Sequence, residues 1–263
     1  MASIISNAGA DNGPVSVAAD QSHGHEITTP SPCQTINLNN QIPDGFHQLP
    51  ELPVKLPKHG EFVHCLPPKP PIYRKFSVFL AGSIEMGRAV QWQPRMALEL
   101  SPYPITVNNP RRPEWKNDEE SMRQQVDWEL SALEQADVIC FFFDVATQSP
   151  VTLWELGKYT DSGKVVVCCG KNYWRYTNVK MSCETYGIPF VETFAELPAV
   201  TVKMLKEKGM ELDANGDLIG ENAHVTKPKP RSKLKMELEI AALKKQVADL
   251  QEMLERPEMG HTA

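Results

Sequence analysis

The stretch VICFFFDV, residues Val138–Val145, is almost wholly apolar. A run of that length with no polar side has no face to turn to water, so it reads as the central strand of a sheet covered on both faces. Upstream lies Asp118–Ala136, with Met122, Val126, Leu130 and Leu133 along one face of an amphipathic helix. Before it come a short strand at Ile105–Val107 and helical spacing over Glu85–Leu100 (Met86, Val90, Met96, Leu100), stopped by Ser101-Pro102. The apolar run Phe76–Ala81 ends in Gly82-Ser83, a strand followed by a tight turn. Downstream, Pro150 opens a helix that reaches about Thr160 and closes at Ser162-Gly163. Val165–Cys169 is a further apolar strand, Val179–Tyr186 a short helix, Ile188–Val191 a last strand and Ala195–Lys208 a final helix. This alternation predicts an α/β fold, a flavodoxin/Rossmann-like parallel sheet with helices on both faces. Ligands of such sheets bind beyond the carboxyl ends of the strands, where Gly82-Ser83 and Thr147–Leu153 fall.

The flanks differ in texture. Residues 1–72 hold 11 of the 22 prolines. Their early part lacks bulky apolar residues in periodic order, so up to about Asn40 the chain is expected to be disordered. Leu49–Pro71 reads as an extended, proline-stiffened arm lying across the domain. The domain itself is placed at 73–210, followed by a polar linker over 211–232 with a turn at Asn215-Gly216-Asp217. A C-terminal helix is expected over 233–256. Met236, Ile240, Leu243, Val247, Leu250 and Leu254 recur there at alternating four- and three-residue spacing. That is the seam of a short coiled coil, or a helix packed on the chain's own domain.

A formal net charge of −6 and a pI near 5.7 argue against a DNA or RNA footprint. No apolar run approaches the ~20 residues that span a bilayer, and no signal peptide is visible, so a membrane role is not expected. The six cysteines form no C-x-x-C pair and three sit in apolar runs, which suits reduced thiols in a cytoplasmic protein, the nucleus remaining open.

Histidine is missing from Cys65 to Ala223, so neither a His triad nor a His metal site is expected in the core, and no metal or organic cofactor is called for. What gathers near the strand ends is carboxylates, Asp127, Glu129, Asp144 and Glu155, with Ser83, Ser149, Asn109, Arg111 and Arg112. A carboxylate suits acetal chemistry, because an anionic oxygen stabilises the cationic anomeric carbon before bonding to it. Glu155 falls one or two turns into a helix that starts at a strand's carboxyl end, where the helix N-terminus favours its ionised form. The plain alternative is a solvated helix residue paired with Lys158 or Tyr159. Arg111 and Arg112 could grip a phosphate bidentately, or simply balance Asp118 and Glu119. Trp92 or Trp115 could stack on a base, or pack in the core.

Four blocks carry a resemblance: LAGSI (Leu80–Ile84), NPRRPEW (Asn109–Trp115), QVDWELSALEQADVI (Gln125–Ile139) and SPVTLWELGKY (Ser149–Tyr159). Together, over about Ser77–Leu197, they resemble the nucleoside 2-deoxyribosyltransferase superfamily, and most closely its 2-deoxyribosyltransferase-like branch. The resemblance implies cleavage or exchange of the N-glycosidic bond of a (deoxy)nucleoside or its 5'-phosphate. It puts the nucleophile at Glu155 and the acid that positions sugar and base at Glu129, with Asp127 as substitute. It places Gly82, Ser83 and Ile84 in the substrate turn. Ser149 stands where the transferases carry Asp and the related nucleoside 5'-monophosphate N-hydrolases carry a phosphate-binding serine. Asn178 falls where relatives reach a neighbouring subunit's site, which implies a homo-oligomer. A tyrosine that orients the nucleophile is replaced in the first strand, where Val78 and Phe79 stand. Its loss keeps a non-catalytic nucleotide-binding module as the rival reading.

Overall fold

The structure is a computed structural model that describes residues 42–52, 56–70, 76–112, 118–220, 240 and 243–251. The disorder expected before Asn40, Trp115, the greater part of the linker, and Met236 and Leu254 of the seam lie outside the described residues.

Six parallel strands form one sheet: β1 (Val63–Cys65), β2 (Ser77–Gly82), β3 (Thr106–Asn108), β4 (Val138–Phe143), β5 (Val165–Cys169) and β6 (Phe190–Val191), in the order β1-β3-β2-β4-β5-β6. Without β1 the order is that of a flavodoxin-like sheet. β4 is central, as its composition predicts: Val138, Cys140 and Phe142 face one side of the sheet, and Ile139, Phe141 and Phe143 the other. The first side packs against α1 (Trp92–Leu100) and α5 (Leu197–Glu207). The second packs against α2 (Glu119–Gln135), α3 (Pro150–Tyr159) and α4 (Tyr176–Tyr186).

Three local causes set the element boundaries. Asp118 caps α2, its carboxylate accepting the Ser121 N–H at 2.8 Å. At the other end of α2 the Lys164 ammonium donates to the carbonyls of Leu133 and Glu134, which the helix itself leaves open. Asp137 anchors the start of β2 by accepting the Ser77 N–H at 2.7 Å.

Two stretches depart from the sequence reading. Extended chain is found within Leu49–Pro71, but Val63–Cys65 adds to the sheet edge instead of lying across the domain: Val63 N–H donates to Ile105 and Asn109 N–H to Cys65. Its residues are buried despite the prolines around them. The helix expected over Glu85–Leu100 starts at Trp92, preceded only by a 3-10 turn at Glu85–Gly87. Between Gly87 and Val90 three carbonyls and one N–H have tertiary partners. Arg111 collects the carbonyls of Gly87, Ala89 and Val90, while Asp144 accepts the Val90 N–H.

Among the described residues no helix is long and apolar enough to cross a membrane. Residues 227–263 form a separate unit, helical at 240 and over 243–251.

Candidate active site

The chain crosses from one side of the sheet to the other between β2 and β4, and sheets of this kind bind ligands at the carboxyl ends of such neighbouring strands. Gly82 makes their approach possible. A Cβ there would stand 2.4 Å from the Phe142 carbonyl and 2.6 Å from the Trp92 ring. The next residue, Ser83, is buried and bound in place: its N–H donates to Phe142, and its carbonyl accepts from the Trp92 indole at 3.0 Å and from Gln93 at 3.3 Å. Trp92 is therefore a core residue beneath the turn, its ring 5.2 Å from that of Phe142.

Three hydroxyls meet at this point. Ser83 Oγ lies 2.5 Å from Ser149 Oγ and accepts from Thr147 Oγ1 at 3.0 Å, while Thr147 and Ser149 are 2.8 Å apart. The Asp144 N–H also donates to Ser83 Oγ, at 2.9 Å. Ser149 holds a left-handed backbone (φ 49°) just before α3. Such a conformation in a non-glycine residue is kept only where its surroundings enforce it. Here its hydroxyl turns to the cluster and makes no helix cap. The loop is braced from outside by Tyr173 and Trp174, both donating to the Gln148 carbonyl.

Asp144, fully buried, accepts from Val90, Ala146 and the Gln48 amide, and Gln48 in turn accepts the Val145 N–H. Both carboxylate oxygens are thus occupied, and Asp144 is a strut between β4, the α1 approach and the segment 42–52. Arg111 is a strut as well. Its two terminal nitrogens donate to Val90, Gln93, Gly87 and Ala89 at 3.0–3.2 Å. Burial pulls its pKa down to about 10, opposed by the Asp144 charge, so it stays cationic at neutral pH. Asn109 accepts the Arg111 N–H and shapes the turn after β3.

The second half of the site lies on α2 and α3. Glu155 is 8 % exposed, yet its carboxyl accepts no hydrogen bond among the described residues. Lys158 lies over the rings of Trp154 and Tyr159 instead. Burial, reinforced by the charge of Glu129, pushes the Glu155 pKa up to about 8. Glu129 is also pushed up by burial, against the pull of a Gln125 N–H at 2.6 Å. Gln125 is the residue that sequence reasoning missed. Buried one turn before Glu129, its amide donates to Glu129 and to the Pro110 carbonyl while its oxygen accepts from Arg112. A glutamine four residues from an acid on the inner side of a helix is the signal that points to it. Arg112 is engaged further by Gln124 at 3.2 Å. Burial lowers its pKa, with Glu129 and Asp118 opposing.

Two expected residues stand apart. Asp127, about 200° around α2 from Glu129, is exposed, and Asn178 is exposed on α4; neither joins the carboxylates or the hydroxyl cluster within the chain. Ile84 follows the Ser83 turn, its carbonyl accepting the Gly87 N–H. Two shallow clefts of about 340 and 470 Å³ border the segment 42–52 and include neither Glu155 nor the cluster. They bring together no set of carboxylates comparable to Glu129 and Glu155, so the chemistry points away from them.

A buried carboxyl with no partner is costly unless something else pairs with it. A second carboxylate at its side and a polar cluster at the neighbouring strand ends make these residues the candidate site. Residues 75–173 match the family model described as Nucleoside 2-deoxyribosyltransferase like. That span contains Glu129, Ser149 and Glu155 and ends before Asn178. No curated protein matches the chain.

Proposed function

Taking residues 75–173 as a nucleoside 2-deoxyribosyltransferase-like domain, we propose that the protein breaks the N-glycosidic bond of a nucleoside with Glu155 as nucleophile and passes the sugar to a second base. The supporting observation is the buried Glu155 carboxyl, which accepts no hydrogen bond among the described residues and feels the charge of Glu129.

Two coupled carboxylic groups in one desolvated site hold a proton between them over a wide pH range. Burial raises the pKa of both carboxyls, the Glu129 charge adding to the rise at Glu155 and the Gln125 N–H opposing it at Glu129. With substrate bound the proton passes to Glu129. A Glu155 oxygen then bonds to the anomeric carbon, the carbon–nitrogen bond breaks, and its electron pair leaves with the base, which takes the Glu129 proton. A second base attacks the resulting glycosyl ester, gives a proton to Glu129 and frees the Glu155 carboxylate. Water in the same position makes the reaction a hydrolysis. Gly82, Ser83, Ile84 and Ser149 line the sugar side, and Asn178 serves a neighbouring copy's site in a homo-oligomer.

The substrate is an uncharged nucleoside in preference to its 5'-phosphate. Arg111 donates to four protein acceptors and Arg112 to two glutamines. The Glu85 carboxylate already faces the Gln148 N–H at the mouth of α3, 3.3 Å away. An incoming phosphate would meet an anion there.

The test is incubation with a panel of nucleosides and their 5'-monophosphates, with and without a free acceptor base, following released base by chromatography. Glu155→Ala should lower base release by three or more orders of magnitude, on the scale of losing a nucleophile, with an unchanged circular dichroism spectrum. Undiminished turnover would remove the mechanism, and tight nucleoside binding with no base released would make the domain a binding module.

A further inference from the structure

The helix at 240 and 243–251 leaves its large aliphatic side chains in water. Ile240, Leu243, Val247 and Leu250 are 48, 60, 54 and 60 % exposed. A helix this short is rarely stable unless an apolar face is covered. We propose that it pairs with the same helix of a second copy of this chain, as a parallel, in-register two-stranded coiled coil.

The seam fixes the kind of partner. From Ile240 to Glu252 the only bulky apolar residues are those four, a stripe one residue wide that alternates three- and four-residue steps. Helices that pack on a globular core carry a broader apolar face, and the strict narrow stripe belongs to knobs-into-holes pairing. Ile240 and Val247 occupy one seam position of the heptad, Leu243 and Leu250 the other. Branching at Cβ in the first and at Cγ in the second is the combination that favours two parallel strands.

The flanking residues fix the direction. In a parallel pair the position just before the first seam residue faces the partner's position just after the second seam residue, one heptad on. Here that sets Glu239 against the partner's Lys244, twice by symmetry, and Gln246 against the partner's Gln251. An antiparallel pair would separate Glu239 from Lys244. Four lysines against five carboxylates between Lys233 and Glu255, with no aromatic residue, leave no basic face for an anionic membrane.

The test uses the full chain with Cys33→Ser. In that background Ile240→Cys should give a disulfide-linked dimer under mild oxidation, because in-register pairing brings the two 240 positions together. Adding L243K and L250K should return cross-linking to background. Lys244→Glu should reduce it several-fold, and the swap E239K/K244E should restore it. The proposal falls if Ile240→Cys does not cross-link, if the link survives L243K/L250K, or if Ile240→Cys joins Leu250→Cys in mixed samples, which would make the pair antiparallel. Binding to anionic vesicles without cross-linking would assign the face to a membrane and overturn it equally.

Discussion

At Glu155 function and stability pull in opposite directions. Its pKa is raised to about 8, so from about pH 4.5 upward the unfolded chain releases a proton that the folded one keeps, and stability declines until both forms are ionised above about pH 8. Replacing Glu155 by Gln should therefore leave the melting temperature nearly unchanged at pH 5. At pH 9 it should raise stability by an amount on the order of a few kcal/mol, read by thermal melts across that range. Gln125 acts on the other carboxylate. Its N–H favours ionised Glu129, so Gln125→Met should shift the acid limb of the kcat/KM profile to higher pH. A residue with a merely structural role would lower activity without moving the profile. Glu155, the proposed nucleophile, was readable from the sequence as a candidate, since a glutamate in the first turns of a helix after a central strand is a local pattern. Gln125 was missed: its four-residue spacing to Glu129 is in the sequence, but Arg112 and the Pro110 carbonyl, which fix the amide in place, lie 13 and 15 residues away in the chain.

Elements in this fold are held at their ends as much as along their faces. Asp118→Ala removes the α2 cap and should cost about 1 kcal/mol in urea unfolding while leaving catalysis intact, since Asp118 touches neither carboxylate. Gly82→Ala is the harsher change. Its Cβ would collide with the Phe142 backbone, which a sheet cannot shift cheaply, so it should cost roughly 1–3 kcal/mol and depress turnover by displacing Ser83. Equal losses in the two variants would contradict this reading of the β2–β4 approach. Strand and helix periods placed most of these elements to within a few residues. The start of α1 escaped them because the backbone of 87–90 bonds to Arg111 and Asp144. β1 escaped because three residues among prolines carry too little pattern to distinguish a paired strand from an extended arm.

For the molecule as a whole, the two faces of the sheet carry two cores that between them take in five cysteines, Cys65, Cys140, Cys168, Cys169 and Cys183, all free and buried. Burial pushes the thiols of Cys140, Cys169 and Cys183 up to about 12, so they have neither access nor thiolate. A thiol reagent should leave all five untouched in native protein and modify them together at the unfolding midpoint. Stepwise labelling below that midpoint would show that one face opens before the other. Segment 42–52 belongs to this unit through Gln48, which ties it to Asp144 and Val145.

Hydrophobic period and composition were enough to specify a parallel sheet with β4 at its centre and helices on both faces. Each of those follows from apolar residues recurring within a few positions of one another, a property any window of the chain displays. Neither the cluster of Ser83, Thr147 and Ser149 nor the roles of Arg111 and Asp144 as struts could be read that way. These arise from hydrogen bonds between groups up to 96 residues apart, and side-chain polarity alone cannot say which donor will reach which acceptor until the backbone has brought them together.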